Sequence, residues 1–197
     1  MTKIGFDLDG VFISGPPFIP KFLIEWLYKQ RRNSLLYRFP GKLEQKIRVL
    51  SHIPIFRPAI KNNLLFFKKT RLSNMYLISS RFSFLKQRTA DWDKKNNLFG
   101  YFKKCYFNEK DEQPHKFKDS IIKKEKIKKY IDDDLDLLLF LSKENPNIEF
   151  YWVGPSTGSG EVRGKPAASG TRQRWTRNLP NNIKQIKDLA EFFTKYV

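Results

Sequence analysis

The sequence predicts an α/β fold in which a doubly wound, Rossmann-like parallel sheet is covered by helices, and two observations support this. Short apolar runs recur along the chain and each stops abruptly at polar residues, and segments with helical periodicity lie between them. Parallel strands are short and continuously apolar because helices bury both faces of the sheet. The alternation of the two patterns is typical of strands joined by crossover helices.

Four apolar runs are predicted as strands. They cover residues 3–6, 75–78, 130–131 and 148–153. The first stops at Asp7, the second at Ser79 and Ser80, and the third at the acidic run that begins with Asp132. The fourth run, Ile-Glu-Phe-Tyr-Trp-Val, has the most strand-like composition of the four.

Helical periodicity predicts the segments between and after these strands. Pro58 can open a helix over residues 58–69, because proline is favoured in the first turn. The segment KDSIIKKEKIKK precedes the third strand, and the dense apolar segment 135–141 follows it. Apolar residues at helical spacing also predict a helix over residues 182–195.

Two segments interrupt this alternation. Residues 14–52 are predicted to form a small helical cap inserted into a core domain made of residues 1–13 and 53–197, because Phe18, Phe22 and Trp26 recur at helical spacing. The alternative is a membrane-surface or substrate-gripping face.

Residues 154–171 contain five of the ten glycines and no aromatic residue. This composition predicts a flexible loop, with a foreign or engineered linker as the alternative.

Composition excludes several classes of site. The chain of 197 residues has a single cysteine, Cys105, which allows neither an intramolecular disulfide nor a cysteine-based zinc site. With no secretory signal pattern and no apolar stretch of the ~18 residues that a spanning helix needs, the expected location is cytoplasmic. The net charge of +18 favours anionic partners such as phosphorylated small molecules, nucleic acid or a membrane surface. A solvated basic surface without a partner is the alternative, and the oligomeric state stays open.

Polar residues at the ends of three predicted strands indicate the site. Asp7, Asp9, Ser79, Asp132 and Asp133 would meet in one crevice, because ligands in open parallel sheets bind at the carboxyl ends of the strands. Carboxylates gathered in this way repel one another, and a divalent cation relieves the repulsion. Hard oxygen ligands favour Mg²⁺.

These motifs resemble those of the haloacid dehalogenase superfamily of phosphatases and phosphotransferases. FDLDGV, which contains Asp7 and Asp9, is similar to its first motif, and YLIS, which ends in Ser79, to its second. YIDD, ending in Asp132 and Asp133, resembles the fourth, and Asp136 suits the longer form of that motif. The lysine of the third motif is matched by Lys118, with Lys116 as the alternative.

The resemblance implies a role for each matching residue. Asp7 would be the nucleophile that becomes an aspartyl phosphate, and Asp9 the acid and base. Asp7, the backbone carbonyl of Asp9, Asp132 and Asp133 would bind Mg²⁺. Ser79 and Lys118 would bind the phosphoryl group, and Ser80 and Arg81 would lie close enough to contact substrate.

The resulting expectation is a Mg²⁺-dependent phosphomonoester hydrolase that acts on a nucleotide or another small phosphate ester, similar to the nucleotidase-like branch of the superfamily. Two alternatives stay open. The charge of +18 would suit a phosphatase of nucleic-acid ends. A non-catalytic domain that binds phosphate, membrane or protein is the other alternative.

Overall fold

A computed structural model describes residues 2–15, 29–31, 35–70, 72–154 and 179–197. In this part of the chain, a six-stranded parallel sheet has the strand order β5-β4-β1-β6-β7-β8. The strands are β1 Ile4–Phe6, β4 Met75–Phe82, β5 Lys104–Asn108, β6 Lys129–Asp132, β7 Glu149–Val153 and β8 Ile183–Ile186. A separate antiparallel pair consists of β2 Lys29–Arg31 and β3 Leu35–Tyr37.

Helices cover both faces of the sheet, so the predicted doubly wound α/β fold is confirmed. The helices are α1 Lys42–Ser51, α2 Lys61–Thr70, α3 Lys86–Asn96, α4 Pro114–Glu125, α5 Leu135–Glu144 and α6 Leu189–Tyr196. Two short 3-10 turns, Ser83–Leu85 and Phe99–Tyr101, precede and follow α3. No helix in the described ranges is both long enough and apolar enough to cross a membrane.

The buried core is divided in two by the sheet. Side chains alternate between its faces, so Tyr151 packs with Phe192 of α6, whereas the neighbouring Phe150 packs with Leu138 of α5 on the other face. The first face is covered by α2, α3 and α6, and the second by α4 and α5. Each of these five helices therefore buries one apolar stripe, as the periodicity requires.

The order of the strands places β1 at the point where the chain reverses direction across the sheet. After β1 the chain adds β4 and β5 on one side, and it then returns to add β6, β7 and β8 on the other. β1 therefore pairs with both β4 and β6. The crevice at such a switch point lies outside the carboxyl ends of the strands.

The described part of residues 14–52 contains α1 and the β2–β3 pair, and the sequence did not predict the pair. Tyr37 in β3 is joined to the core through its backbone, since its N–H donates to Gln113 Oε1 at 2.9 Å and its carbonyl accepts from Gln113 Nε2 at 3.1 Å. The Tyr37 hydroxyl also donates to Asp134 Oδ2 at 2.8 Å. The predicted helix through Phe18 and Trp26 lies outside the described residues, as do positions 155–171 of the predicted loop.

Three regions differ from the sequence predictions. The predicted helix over residues 182–195 is wrong, because Ile183–Ile186 forms the edge strand β8 and α6 begins only at Leu189. The helix predicted over residues 58–69 instead spans Lys61–Thr70. β4 does not stop at Ser79 but continues to Phe82, with an irregularity in its pairing to β5 after Ser79. β5 and α3 were not predicted from the sequence.

Asp188 explains why α6 begins where it does. Its side chain accepts a hydrogen bond from Glu191 N at 2.9 Å, which satisfies one of the free N–H groups of the first turn. We expect Asp188→Ala to lower the free energy of unfolding by about 1 kcal/mol in denaturant titration. Asp188→Asn is the matched control because asparagine caps equally well, and an equal loss in both variants would contradict this role.

Candidate active site

The site is built from the ends of three adjacent strands and one helix. Asp7 follows β1, Ser79 lies in β4 where the pairing to β5 becomes irregular, and Asp132 ends β6. Lys118 reaches this edge from the second turn of α4. Because β1 lies between β4 and β6, the parallel register brings these residues together from distant positions in the chain.

Lys118 joins the two buried carboxylates at the centre of the site. Its ammonium donates to Asp7 Oδ1 at 2.8 Å and to Asp132 Oδ2 at 2.7 Å. The Tyr130 hydroxyl donates to the same oxygen of Asp132 at 3.0 Å. The side chains of Lys118, Asp7 and Asp132 are 3%, 8% and 1% exposed, so these charges interact with little screening by water. Lys116 is exposed, so Lys118 is the lysine that contacts the carboxylates.

Burial and neighbouring charges perturb both ionic groups. Burial raises the pKa of the Asp7 carboxyl well above its ordinary value, Lys118 opposes this shift, and repulsion from Asp132 and Asp9 adds to it. Burial alone would lower the pKa of Lys118, but attraction by Asp132 and Asp7 outweighs burial and holds the pKa well above its ordinary value. Lys118 is therefore charged. An additional cation would reduce the repulsion that remains between the carboxylates.

Three carboxylates are close enough to share a metal ion. Asp7, Asp132 and Asp133 each offer an oxygen, and these oxygens lie within 4.8 Å of one another. A set made only of carboxylate oxygens fits a hard cation such as Mg²⁺, which commonly binds one or two carboxylates together with water and substrate phosphate. The Asp9 carboxylate is not part of this group, and the ligand expected from Asp9 is its backbone carbonyl.

Asp9 is paired with an arginine. Arg81 Nε and Nη2 donate to its two oxygens, each at 2.6 Å, and Arg81 Nη1 donates to Thr89 Oγ1 at 3.1 Å. Burial would raise the pKa of Asp9, but the Arg81 guanidinium outweighs it and holds the pKa well below its ordinary value. Asp9 is therefore ionised, and Arg81 fixes the orientation of its carboxylate.

The two aspartates do not lie side by side in a regular strand, because β1 ends at Phe6. They lie on a tight loop in which Gly10 N donates to the carbonyl of Ile13 at 2.8 Å. Gly10 has a φ of +71°, and a Cβ atom there would lie 2.0 Å from Asp133 Cγ. Only glycine allows both the turn and the close approach of Asp133.

Ser79 presents a buried hydroxyl. It is 1% exposed, and its Oγ has no hydrogen-bond partner among the residues that the structure describes. Buried polar groups are almost always satisfied, so this hydroxyl suits a ligand oxygen. Ser80 follows it in β4 and is half-buried. Asp136 is exposed in the first turn of α5, where an acid stabilises the helix start.

Two tyrosines near the three carboxylates were not predicted from the sequence. Tyr130 lies two residues before Asp132 in β6, and this spacing in a strand could have placed both on one face. Tyr37 contacts Asp134, whose N–H donates to Asp132 Oδ1 at 2.9 Å. Nothing in the sequence indicated this second contact, because Tyr37 comes from the inserted segment.

Comparisons with known proteins find a structural similarity alone. No family model and no curated protein matches the chain. A solved structure from Listeria monocytogenes serotype 4b, of an uncharacterized protein, is 11% identical with a TM-score of 0.45. The match covers 97% of this chain and 94% of that one.

We expect Gly10→Ala to lower the free energy of unfolding by about 2 kcal/mol or more, because an added Cβ would clash with Asp133 in an unfavourable backbone conformation. Thermal or denaturant unfolding measures this loss. Gly100→Ala is the control, since a Cβ there meets no atom within 4 Å. Equal stability of the two variants would contradict the tight approach of Asp133 to the loop.

His52 provides a prediction for the pH dependence of stability. Burial and the nearby charges of Arg57 and Arg81 lower the pKa of His52 to about 3, although Asp9 and the Arg48 carbonyl oppose this. Below the unfolded pKa of about 6.5 the unfolded chain takes up a proton that the folded chain does not, so stability falls as the pH decreases.

Between pH 7 and pH 5 this group alone would lower the free energy of unfolding by about 2 kcal/mol. His52→Gln removes the titration and keeps an amide that can hydrogen bond to the Arg48 carbonyl. Urea unfolding at both pH values should therefore show a smaller fall for the variant. An identical fall for variant and wild type would contradict the buried, neutral histidine.

Proposed function

We propose that this protein is a Mg²⁺-dependent phosphomonoester hydrolase of the haloacid dehalogenase type, which works through an aspartyl-phosphate intermediate. The observation that supports this most directly is the meeting of Asp7, Asp132 and Asp133 around the buried Lys118 at the switch point of the sheet. The hydroxyl of Ser79 on the adjacent strand β4, which has no partner among the described residues, adds a donor suited to a phosphate oxygen.

The three carboxylates fit Mg²⁺ by their chemistry and their spacing. Asp7, Asp132 and Asp133 would hold the ion. When bound, Mg²⁺ would reduce the repulsion between the anionic nucleophile and the anionic phosphate. The perturbed pKa of Asp7 is consistent with this assignment, because the carboxylate lies among other acids and away from water.

In the first step, an Asp7 oxygen attacks phosphorus, and the bond from phosphorus to the ester oxygen breaks. Lys118 already contacts Asp7, so its positive charge lies beside the position where the phosphoryl group is transferred. Ser79 donates a hydrogen bond to a phosphate oxygen, and the half-buried Ser80 lies next to it in the chain. The departing oxygen takes its proton from Asp9 in those molecules in which this carboxyl is protonated.

In the second step, water attacks the aspartyl phosphate and Asp9 accepts its proton, which releases phosphate and restores Asp7. The pair with Arg81 suits this step because it keeps Asp9 ionised and oriented. To protonate the leaving oxygen in the first step, Asp9 must instead be in its neutral, protonated form. An aryl phosphate, whose leaving group departs with little protonation, is therefore the most suitable first test substrate.

The proposed substrates are nucleotides and other small phosphate esters. The net charge of +18 supports an anionic substrate, because a basic surface concentrates phosphorylated molecules near the crevice. A screen over nucleotides, sugar phosphates, lipid phosphates and oligonucleotide ends would distinguish the substrate classes.

We expect purified protein with Mg²⁺ to hydrolyse an aryl phosphate, and Asp7→Asn to lower kcat by about a thousandfold or more, because the amide is not a nucleophile. Removal of Mg²⁺ by EDTA should abolish turnover, and added Mg²⁺ should restore it. Asp91→Asn is the matched control, since Asp91 pairs with Arg88 on α3.

Full activity of Asp7→Asn would contradict the mechanism. Activity that is unaffected by EDTA would contradict the metal assignment. Binding of phosphate without turnover on any substrate of the screen would instead identify a non-catalytic domain.

A further inference from the structure

Helix α1 has its apolar face turned towards solvent. Leu43, Ile47 and Leu50 lie at helical spacing and are 75%, 59% and 64% exposed. On the opposite side Arg48 is 5% exposed and forms an ion pair with Glu44. A surface helix normally buries its apolar stripe, so this reversed arrangement indicates that the stripe contacts something other than the described core.

The apolar surface continues beyond the helix. Eight of the ten exposed large apolar side chains in the described part of the chain fall between positions 36 and 65. Phe39 precedes α1, and Ile55 and Phe56 follow it, with exposures of 47%, 74% and 48%. Scattered single apolar residues on a surface are ordinary, but a concentration of this kind marks an interaction surface. We call α1 together with these three residues the apolar face.

The charges around the apolar face have one sign. Residues 36–65 contain six basic side chains and one acid, Glu44, which is paired with both Arg38 and Arg48. On α1 itself Lys42 and Lys46 are exposed, each immediately before one of the exposed aliphatic residues. The exposed side of the helix therefore combines aliphatic side chains with two lysines that form no ion pair within the described residues.

We propose that the apolar face binds the surface of an anionic lipid bilayer. Aliphatic side chains can enter the boundary between headgroups and acyl chains, and the lysines at their edges can contact anionic headgroups. The proposal concerns attachment to a membrane surface and is independent of the proposed hydrolysis.

The composition of the apolar face disfavours two other partners, a second copy of this chain and nucleic acid. In a symmetric contact between two copies, the lysines of α1 would face one another across the interface without acids to balance them. Nucleic acid would match the lysines, but the four most exposed side chains of the face are aliphatic and provide neither stacking nor hydrogen bonds for bases or phosphates. Of the two aromatic rings in the face, Phe39 already packs edge-to-face against Phe82.

The experiment is co-sedimentation of the full chain with vesicles of phosphatidylcholine alone or with about 30% phosphatidylserine. We expect binding to the anionic vesicles and much weaker binding to the neutral ones. The triple variant Leu43→Gln, Ile47→Gln, Leu50→Gln should lower the partition coefficient at least about tenfold, because it removes the apolar contacts and keeps good helix formers.

Two double lysine variants test whether the charges of α1 contribute to membrane binding. Lys42→Gln with Lys46→Gln should lower anionic binding about tenfold, since each lysine near an anionic surface contributes measurably. Lys94→Gln with Lys95→Gln removes the same charge from exposed positions of α3 and should leave binding nearly unchanged.

Several results would overturn the proposal. These are absence of vesicle binding, unchanged binding by the triple variant, or equal losses in the two lysine pairs. A concentration-dependent dimer that the triple variant dissolves would identify a second copy as the occupant. A marked fall in the melting temperature of the triple variant would show that the chain itself covers the face. Loss of oligonucleotide binding without loss of vesicle binding would identify a nucleic acid instead.

Discussion

The buried bridge from Lys118 to Asp7 and Asp132 is the interaction on which the rest of the site depends. It connects α4 to the ends of β1 and β6, three elements that are far apart in the sequence. Burying these charges costs free energy that a single ion pair seldom recovers, so such a group is a poor device for stability. The bridge lies at the switch point of the sheet, next to Asp133, and this position is the one that the proposed catalytic site requires.

The loop after β1 packs closely against the residues that follow β6, so the conformation of each limits the other. Gly10 turns the chain with a positive φ, and the same absence of a side chain lets Asp133 approach the loop. Asp132 is in turn oriented by Lys118 and by the hydroxyl of Tyr130. The Asp9 side chain lies outside this cluster and pairs with Arg81. Asp7 and Asp9, two residues apart in one short motif, therefore have different electrostatic environments. Burial raises the pKa of Asp7, and the Arg81 guanidinium lowers the pKa of Asp9.

The central strands and the residues at their ends could be predicted because they are encoded locally. An apolar run that stops at an acid is visible in the sequence at Asp7 and at Asp132, and parallel pairing then brings the two together. The edge strand β8 was missed because Ile183 and Ile186 also satisfy helical spacing, and only pairing to β7 decides between the two. Pairing of this kind is a tertiary effect that overrides local periodicity.

The partners of the site side chains were harder to predict than their positions. The pairing of Asp9 with Arg81 joins residues 72 positions apart, and the contact of Tyr37 with Asp134 joins residues 97 apart. Neither pairing has a local sequence signal. The exposed stripe on α1 has the periodicity of any amphipathic helix, and the pattern cannot show which face points to solvent.

The central claim is that Asp7 receives the phosphoryl group in a metal site formed with Asp132 and Asp133. A crystal structure of the protein grown with Mg²⁺ and beryllium fluoride, a mimic of the phosphoryl group, tests it most directly. We expect the mimic on an Asp7 oxygen, within reach of Ser79 and Lys118, and a cation held by Asp7, Asp132 and Asp133. A mimic bound elsewhere, or a cation site that excludes Asp7, would contradict the account.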